Sequence, residues 1–301
     1  MSSRRQITPD KLSAIWSLYL DFRRGQVQPS TFQRDYRKFS RRIARLRAEG
    51  GDLATSLEIR DWLMGQYAPE TVRRTIQQFN ACCRWAMESE LIAANPFEGL
   101  QKQIKVKRPS EKAWASFTAQ ERDRIIQSFD LDKPFYSPWV KFLFWTGTRP
   151  EESAALTWGN VSPDCTEILI HEAFPVDMHE RQGTKNGKTT RFPCNTRLQR
   201  LLREQRPGDW SREQFVFPGR EGSRFDYHNF QTRHWRPLVL DLVESGHVAF
   251  YLSQYHCRHT WITLALEHLP VADVSYLARV STGVLYAHYA GRSRNITIPE
   301  F

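Results

Sequence analysis

The sequence TGTRPEE, at residues 146–152, holds an arginine between a Thr-Gly-Thr turn and a proline that two acids follow. We expect the turn to lead into a helix that presents Arg149 near its start, where the helix dipole favours an anion. A second arginine, Arg258, lies in YHCRHT, and two tyrosines lie in LYAHYAG near the end of the chain. Guanidinium groups bind phosphate oxygens bidentately, and a phenol can attack phosphorus and hold the product as an ester. The order Arg, Arg, Tyr therefore indicates phosphodiester chemistry.

Length and composition predict a globular protein of about two domains. The chain has 301 residues, of which 40% are hydrophobic and 13% aromatic, enough for real cores. No segment approaches the roughly 18 apolar residues that a membrane span needs, so we expect no membrane partner and a cytoplasmic, nucleoid-associated protein. Five cysteines, two of them adjacent at Cys82 and Cys83, form no Cys-x-x-Cys pair. We expect free thiols and no disulfide.

The positive charge is concentrated near the start of the chain. The net charge is +10, and residues 1–50 hold 12 of the 43 basic residues but only four of the 33 acidic ones. A localised basic surface is typical of proteins that bind a polyanion, because displaced counterions drive the binding. Charge alone leaves two alternatives open, a solvated helix face and an acidic membrane surface.

Residues 30–50 predict one amphipathic helix, with Ser30 and Gln33 spaced for a capping box and Gly50-Gly51 as the stop. Apolar residues recur at helical spacing and should face a core. The remaining faces are almost wholly cationic, so the helix suits a DNA groove. The predicted DNA-binding residues on it are Arg34, Arg37, Lys38, Arg41, Arg42 and Arg45.

Further helices over residues 9–24, 57–64 and 70–91 complete an all-helical first domain, residues 1–98. Residues 99–112 carry five basic side chains and few large apolar groups, which predicts a basic linker with Lys105 and Lys107 on DNA. A larger domain follows, residues 113–301. There we expect helices over 118–129, 138–144, 195–204, 230–244, 255–267 and 271–278, and strands over 167–171 and 190–193 with a loop at 183–188. Thr118 and Glu121 are spaced for a capping box at the start of the first of these helices.

These motifs resemble those of the tyrosine recombinase family, the phage-integrase type of site-specific DNA recombinase. The resemblance covers nearly the whole chain, and the segment with Arg149 is its strongest match. It implies a mainly α fold with a small β-sheet in the C-terminal domain: a helical core-binding domain and a catalytic domain that clamp duplex DNA. Glu152 stands at the acidic position of the motif, where it orients the arginine or closes the turn.

The resemblance also implies roles for other residues. Lys185 matches the catalytic lysine, with Lys188 as a competitor, and Arg258 matches the second arginine. Tyr255 stands where the family commonly has a histidine, next to His256, and Val280 stands where it has His or Trp. A metal site at His256, Cys257 and His259 is disfavoured, since the spacing fits no common zinc pattern. The nucleophile is Tyr289 by spacing, with Tyr286 as the alternative; His259 and His288 are possible accessory residues.

The implied reaction is strand exchange without a metal or other cofactor. Tyrosine attacks the phosphate, the arginines neutralise the growing charge, and the lysine protonates the leaving 5′ oxygen. Four protomers on two duplexes are implied, with residues 291–301 docking on a neighbour. Two alternatives remain: strand cutting and rejoining as in a type IB topoisomerase, and a DNA-binding regulator of recombination whose active site has degraded.

Overall fold

The computed structural model describes residues 5–106, 114–175, 182–183 and 189–289. The chain divides into two compact units, Met1–Arg108 and Pro109–Phe301. Helices dominate both, and the second adds short antiparallel strand pairs. The predicted fold class, mainly α with a small β-sheet in the C-terminal part, is confirmed.

The first unit is built from helices around one apolar core. Its helices are α1 (Pro9–Arg23), α2 (Pro29–Thr31), α3 (Arg37–Glu49), α4 (Ser56–Gln66) and α5 (Pro69–Glu88), and a π-helical turn, Phe32–Tyr36, joins α2 to α3. Ile43 and Leu46 of α3 are buried, as the predicted stripe requires, and they meet Ile76 and Phe79 of α5 in the same core. The hydrophobic effect therefore orients α3 with its cationic faces outward.

The start of this basic helical segment differs from the prediction. It begins at Pro29, after Gln28, and no side chain caps its first turn. Proline is favoured at the first helical position because its missing N–H has no partner there in any case. The predicted capping box of Ser30 and Gln33 is wrong for that reason: both residues lie inside the helical segment.

The core of the first unit also extends beyond residue 98. Gly99 adopts a left-handed conformation (φ 75°) and opens a 3-10 turn, Leu100–Gln103. Leu100 is fully buried and Ile104 is 7% exposed, both in the first core. Residues 99–106, predicted as the start of the linker, therefore pack on the first unit, because two apolar side chains among the lysines are buried in its core.

The second unit contains more elements than the sequence predicted. Its helices are α6 (Ala119–Asp132), α7 (Ser137–Thr146), α8 (Pro150–Ala155), α9 (Thr196–Gln205), α10 (Tyr227–Phe230), α11 (Arg236–Glu244), α12 (His256–His268), α13 (Val271–Ala278) and α14 (Thr282–His288). Thr118 and Glu121 form the predicted capping box of α6. Helix α14 was not predicted, although Ser281 caps it by accepting a hydrogen bond from the backbone N–H of Val284.

Two antiparallel strand pairs complete this unit. Strand β1 (Glu167–Ile170) pairs with β4 (Thr190–Pro193), and Glu167 lies opposite Pro193. Strand β2 (Glu172–Ala173) pairs with β3 (Gln182–Gly183), with Glu172 opposite Gly183. Gly183, predicted to start a loop, therefore belongs to a strand, and residues 184–188 lie outside the described residues.

An aromatic core fixes the elements that carry the two arginines. Trp139 and Phe142 of α7 are buried with Trp158 and Trp235 in one cluster. Helix α12 packs against α7, and its Thr260 hydroxyl accepts a hydrogen bond of 3.0 Å from the Phe117 N–H. The end of α7 and the start of α12 therefore pack on the same core, through Phe144 and Cys257.

Candidate active site

The turn between α7 and α8 places Arg149. Gly147, with φ of 60°, is the C-cap residue of α7, and Arg149 is the N-cap residue of α8. Glu152 binds Arg149 twice: one carboxylate oxygen accepts its backbone N–H at 2.9 Å, and the other accepts its Nη1 at 2.6 Å. The Glu152 carboxylate thus binds both the backbone and the guanidinium of Arg149.

Arg258 lies in the first turn of α12 and is only 3% exposed. Its Nη1 donates to the Gly147 carbonyl oxygen at 2.7 Å, and its Nη2 donates to the Ala278 carbonyl oxygen. Burial, reinforced by the neighbouring Arg149 charge, lowers the pKa of Arg258 to about 10. The guanidinium stays cationic at neutral pH, and an anion that binds beside it stabilises its charge.

A third arginine, Arg279, forms a cluster with Arg149, Arg258 and Glu152. The sequence reasoning missed it. It follows α13 with φ of 55° and is 4% exposed. Its Nη2 donates to Glu152 at 2.8 Å, and both side chains are 98% buried. Sequence offered a weak signal at most, since an arginine next to Val280 resembles any basic residue after a helix.

The charges of this cluster depend on one another. Burial disfavours the charge of Arg149, but the Glu152 carboxylate outweighs it and raises the Arg149 pKa. Burial likewise opposes the charge of Glu152, yet Arg279 and Arg149 hold the pKa of that carboxyl below its usual value of 4.5. Glu151, the next residue, is buried enough to have its pKa raised. Glu152 is therefore the acid that stays ionised between the arginines.

Tyr289 directly follows α14 and lines the same cavity as Arg149 and Arg258. It is 5% exposed, and its hydroxyl shares a hydrogen bond with Nδ1 of His259. The Trp114 and Tyr289 rings are nearly perpendicular, at 83° and 5.8 Å between centroids. Trp114 also stacks on His288, at 3.7 Å between centroids and an interplanar angle of 5°. Tyr286, by contrast, is 62% exposed.

One cavity of about 440 Å³ joins these groups. The arginines Arg149 and Arg258 line it together with Tyr289, and so do Tyr255, His256, His259 and Val280. His256 is held by Ser253, whose hydroxyl lies 3.1 Å from its Nδ1, and Tyr255 contacts the edge of the His259 ring. His288 stacks on Trp114, which lines the cavity. Lys185 and Lys188 lie outside the described residues.

A second concave surface lies wholly in the first unit, between α3 and α5. This groove of about 820 Å³ is lined by Lys38 and Arg42 from α3. From α5 it takes Arg74, Gln77, Gln78, Asn80 and Arg84. The α5 residues were missed because its apolar stripe alone was considered, although its polar face holds basic and amide side chains at helical spacing.

The predicted DNA-binding residues of α3 and its preceding turn differ in exposure and in hydrogen-bond partners, and Arg34 donates to the Asp35 carboxylate at 3.2 Å. Arg34, Arg37, Lys38 and Arg41 are exposed. Arg42 is half-buried and donates to the Thr75 hydroxyl at 2.9 Å. Arg45 donates to Glu49 and, at 2.8 Å, to Gln66. Lys105 is exposed, and Lys107 lies outside the described residues.

Three further observations concern the described part of the chain. All five cysteines are free and buried. No cluster of three or more His, Cys, Asp or Glu side chains is arranged to bind a metal within the described ranges. Among the helices of those ranges, none is long and apolar enough to cross a bilayer.

Solved integrase structures share this architecture across both units. A Tn1549 transposon integrase in complex with a circular intermediate DNA has a TM-score of 0.77 at 16% identity, over 94% of this chain and 96% of that one. A lambda integrase dimer bound to a COC′ core site has a TM-score of 0.71 at 12% identity, over 99% of this chain and 82% of that one. The chain has the tyrosine-recombinase fold.

A lambda integrase tetramer bound to a Holliday junction shares the recombinase fold as well, with a TM-score of 0.68 at 11% identity over 96% of this chain and 80% of that one. No protein-family model and no curated protein matches the sequence. The likeness to these integrases is therefore one of fold, at low sequence identity.

Proposed function

We propose that this protein is a site-specific DNA recombinase that cuts and rejoins strands through a 3′-phosphotyrosyl intermediate. The cavity that joins Arg149, Arg258 and Tyr289 carries the proposal. These residues come from segments more than 30 residues apart, and the fold brings two cations and one phenol to a single space of about 440 Å³. Such a space suits one phosphodiester.

The reaction that follows from this arrangement is a transesterification. The Tyr289 oxygen attacks the phosphorus, a new P–O bond forms to tyrosine, and the bond to the 5′ oxygen breaks. Nδ1 of His259, already hydrogen-bonded to the hydroxyl, accepts the phenolic proton. Lys185 returns a proton to the leaving oxygen, as the sequence resemblance implies. Arg149 and Arg258 stabilise the charge that grows on the non-bridging oxygens.

Tyr289 is the proposed nucleophile in preference to Tyr286. Both lie on or next to α14, but only Tyr289 lines the cavity with the two arginines. Tyr286, 62% exposed, lies one helical turn earlier. A nucleophile must be within reach of the phosphate that the arginines hold, so burial beside the arginines supports Tyr289.

Double-stranded DNA is the proposed partner, held by the basic side chains of α3 and α5 as well as by the cavity. The exposed Arg37, Lys38 and Arg41 supply phosphate contacts, and the amides of the α3–α5 groove suit base edges. Self-association to a tetramer on two DNA sites is part of the proposal, by analogy with the lambda integrase tetramer bound to a Holliday junction.

Covalent capture tests the proposal. The protein is incubated with a pool of nicked suicide duplexes of randomised sequence, denatured, and the DNA that remains attached is recovered after protease treatment. We expect the recovered DNA to carry a peptide at its 3′ end, and the released fragment to carry a free 5′ hydroxyl. Tyr289→Phe should abolish the adduct, while Tyr286→Phe, the matched control on α14, should keep it.

Retention of the adduct by Tyr289→Phe would refute the assigned nucleophile. Absence of any adduct from wild type, together with tight duplex binding, would favour the degraded regulator. Joint molecules between two labelled duplexes that carry the captured sequence distinguish recombination from the topoisomerase-like reaction, which rejoins only the original ends.

A further inference from the structure

Arg279 is a buried cation that the proposed reaction does not use. It lies in the left-handed region (φ 55°), which non-glycine residues rarely adopt, directly after α13. Such a conformation persists where the surroundings over-determine it. The surroundings here are ionic, because Nη2 and Nε of Arg279 donate to the two oxygens of Glu152 at 2.8 and 3.3 Å.

Glu152 therefore serves two guanidiniums at once. The oxygen that accepts Nη1 of Arg149 at 2.6 Å also accepts Nε of Arg279 at 3.3 Å. Without Arg279, the carboxylate would be paired with Arg149 alone, and a paired arginine presents little net charge to a phosphate. Inside a buried site such a loss matters more than at the surface, since water does not screen it.

The backbone around Arg279 binds both phosphate-binding arginines as well. Its own carbonyl oxygen accepts Nη2 of Arg149 at 3.3 Å. The carbonyl oxygen of the preceding residue, Ala278, accepts Nη2 of Arg258. The left-handed turn at Arg279 thus directs two carbonyls at the cluster while its side chain reaches back to Glu152.

We propose that Arg279 is a positioning residue that neutralises Glu152. The positive charge of Arg149 is then not cancelled by that carboxylate and remains available to the scissile phosphate. The proposal rests on the proposed strand-cutting function. Arg279 does not touch the DNA; it acts through Glu152, and its left-handed turn supplies the carbonyls that aim Arg149 and Arg258.

Four variants of the full chain separate charge from backbone. Arg279→Gly removes the side chain but suits the left-handed conformation, so backbone strain cannot explain a loss. Arg279→Lys keeps the charge. The double variant Arg279→Gly with Glu152→Gln removes the cation and the anion together. Arg122→Met, the control, removes an arginine that pairs with the exposed Asp123 on α6, outside the cluster.

Single-turnover formation of the covalent adduct is measured on a captured suicide duplex. We expect Arg279→Gly to form the adduct about tenfold more slowly or worse. Loss of one preorganised donor costs about 10²–10³ in rate, and Arg279 acts on such a donor only indirectly. Arg279→Lys and Arg122→Met should stay within about threefold of wild type. The double variant should be faster than Arg279→Gly, because no carboxylate then remains to neutralise Arg149.

A merely structural role predicts the opposite order, with the double variant slower than Arg279→Gly, and that result overturns the proposal. An unchanged rate for Arg279→Gly does so too while leaving the strand-cutting function intact. If wild type forms no adduct, the strand-cutting function is refuted, and the role of Arg279 is tested by affinity for a fluorescein-labelled duplex. Weaker binding by Arg279→Gly that is restored in the double variant supports the proposed role. Equal binding by wild type and Arg279→Gly refutes it.

Discussion

Replacement of Glu152 by glutamine should destabilise the second unit in a pH-dependent way. Glutamine keeps the shape but leaves Arg149 and Arg279 without the carboxylate that binds them at 2.6 and 2.8 Å. The Arg279–Glu152 pair is 98% buried on both sides. Removing one partner of such a pair costs about 3–5 kcal/mol, because a buried charge remains uncompensated.

The pH dependence has a definite sign. The folded-state pKa of Glu152 is depressed below 4.5, since Arg279 and Arg149 outweigh the opposing effect of burial. The carboxylate therefore contributes its full stability above about pH 4.5, and the contribution is lost as the pH falls through the folded-state pKa. Wild type and Glu152→Gln should differ most near neutral pH and converge in acid.

Calorimetry on the full chain measures this difference. At neutral pH we expect the transition of the second unit to fall by about 6 °C or more, from roughly 2 °C per kcal/mol for a unit of this size. Glu167→Gln is the matched control, because its pair with Arg191 is exposed and worth at most about 1 kcal/mol. A shift no larger than the control's, or one that persists unchanged in acid, refutes the electrostatic reasoning.

Two other variants test the fold and the proposed DNA-binding surface. Gly147→Ala should lower the free energy of urea unfolding by about 2 kcal/mol or more, because φ is 60° and a Cβ would lie 2.7 Å from the Trp261 ring. The control, Gly65→Ala, lies in open space on α4 and should be neutral or stabilising by up to about 1 kcal/mol. Glutamine at both Lys38 and Arg41 should reduce the slope of log affinity against log salt by about 1.8 for duplex DNA, and an unchanged slope would place the phosphate contacts elsewhere.

Local patterns predicted the long elements well. The stripe of Ile43 and Leu46 located α3, and Thr118 with Glu121 located the start of α6, because burial and capping act over one or two helical turns. Short elements escaped. Helix α14 has seven residues, of which only Leu285 is buried, too little periodicity for a sequence window to detect.

The sequence by itself determined which reactive and charged groups the chain carries. They are two arginines in distinctive motifs, a late tyrosine, and a basic amphipathic helix. The tertiary structure alone decided which groups meet. It placed Tyr289 rather than Tyr286 in the cavity and joined His259 to its hydroxyl. It also brought Arg279 to Glu152 across 127 positions of sequence. A buried ion pair depends on distance and on the exclusion of water, and neither is written in the local sequence around either residue.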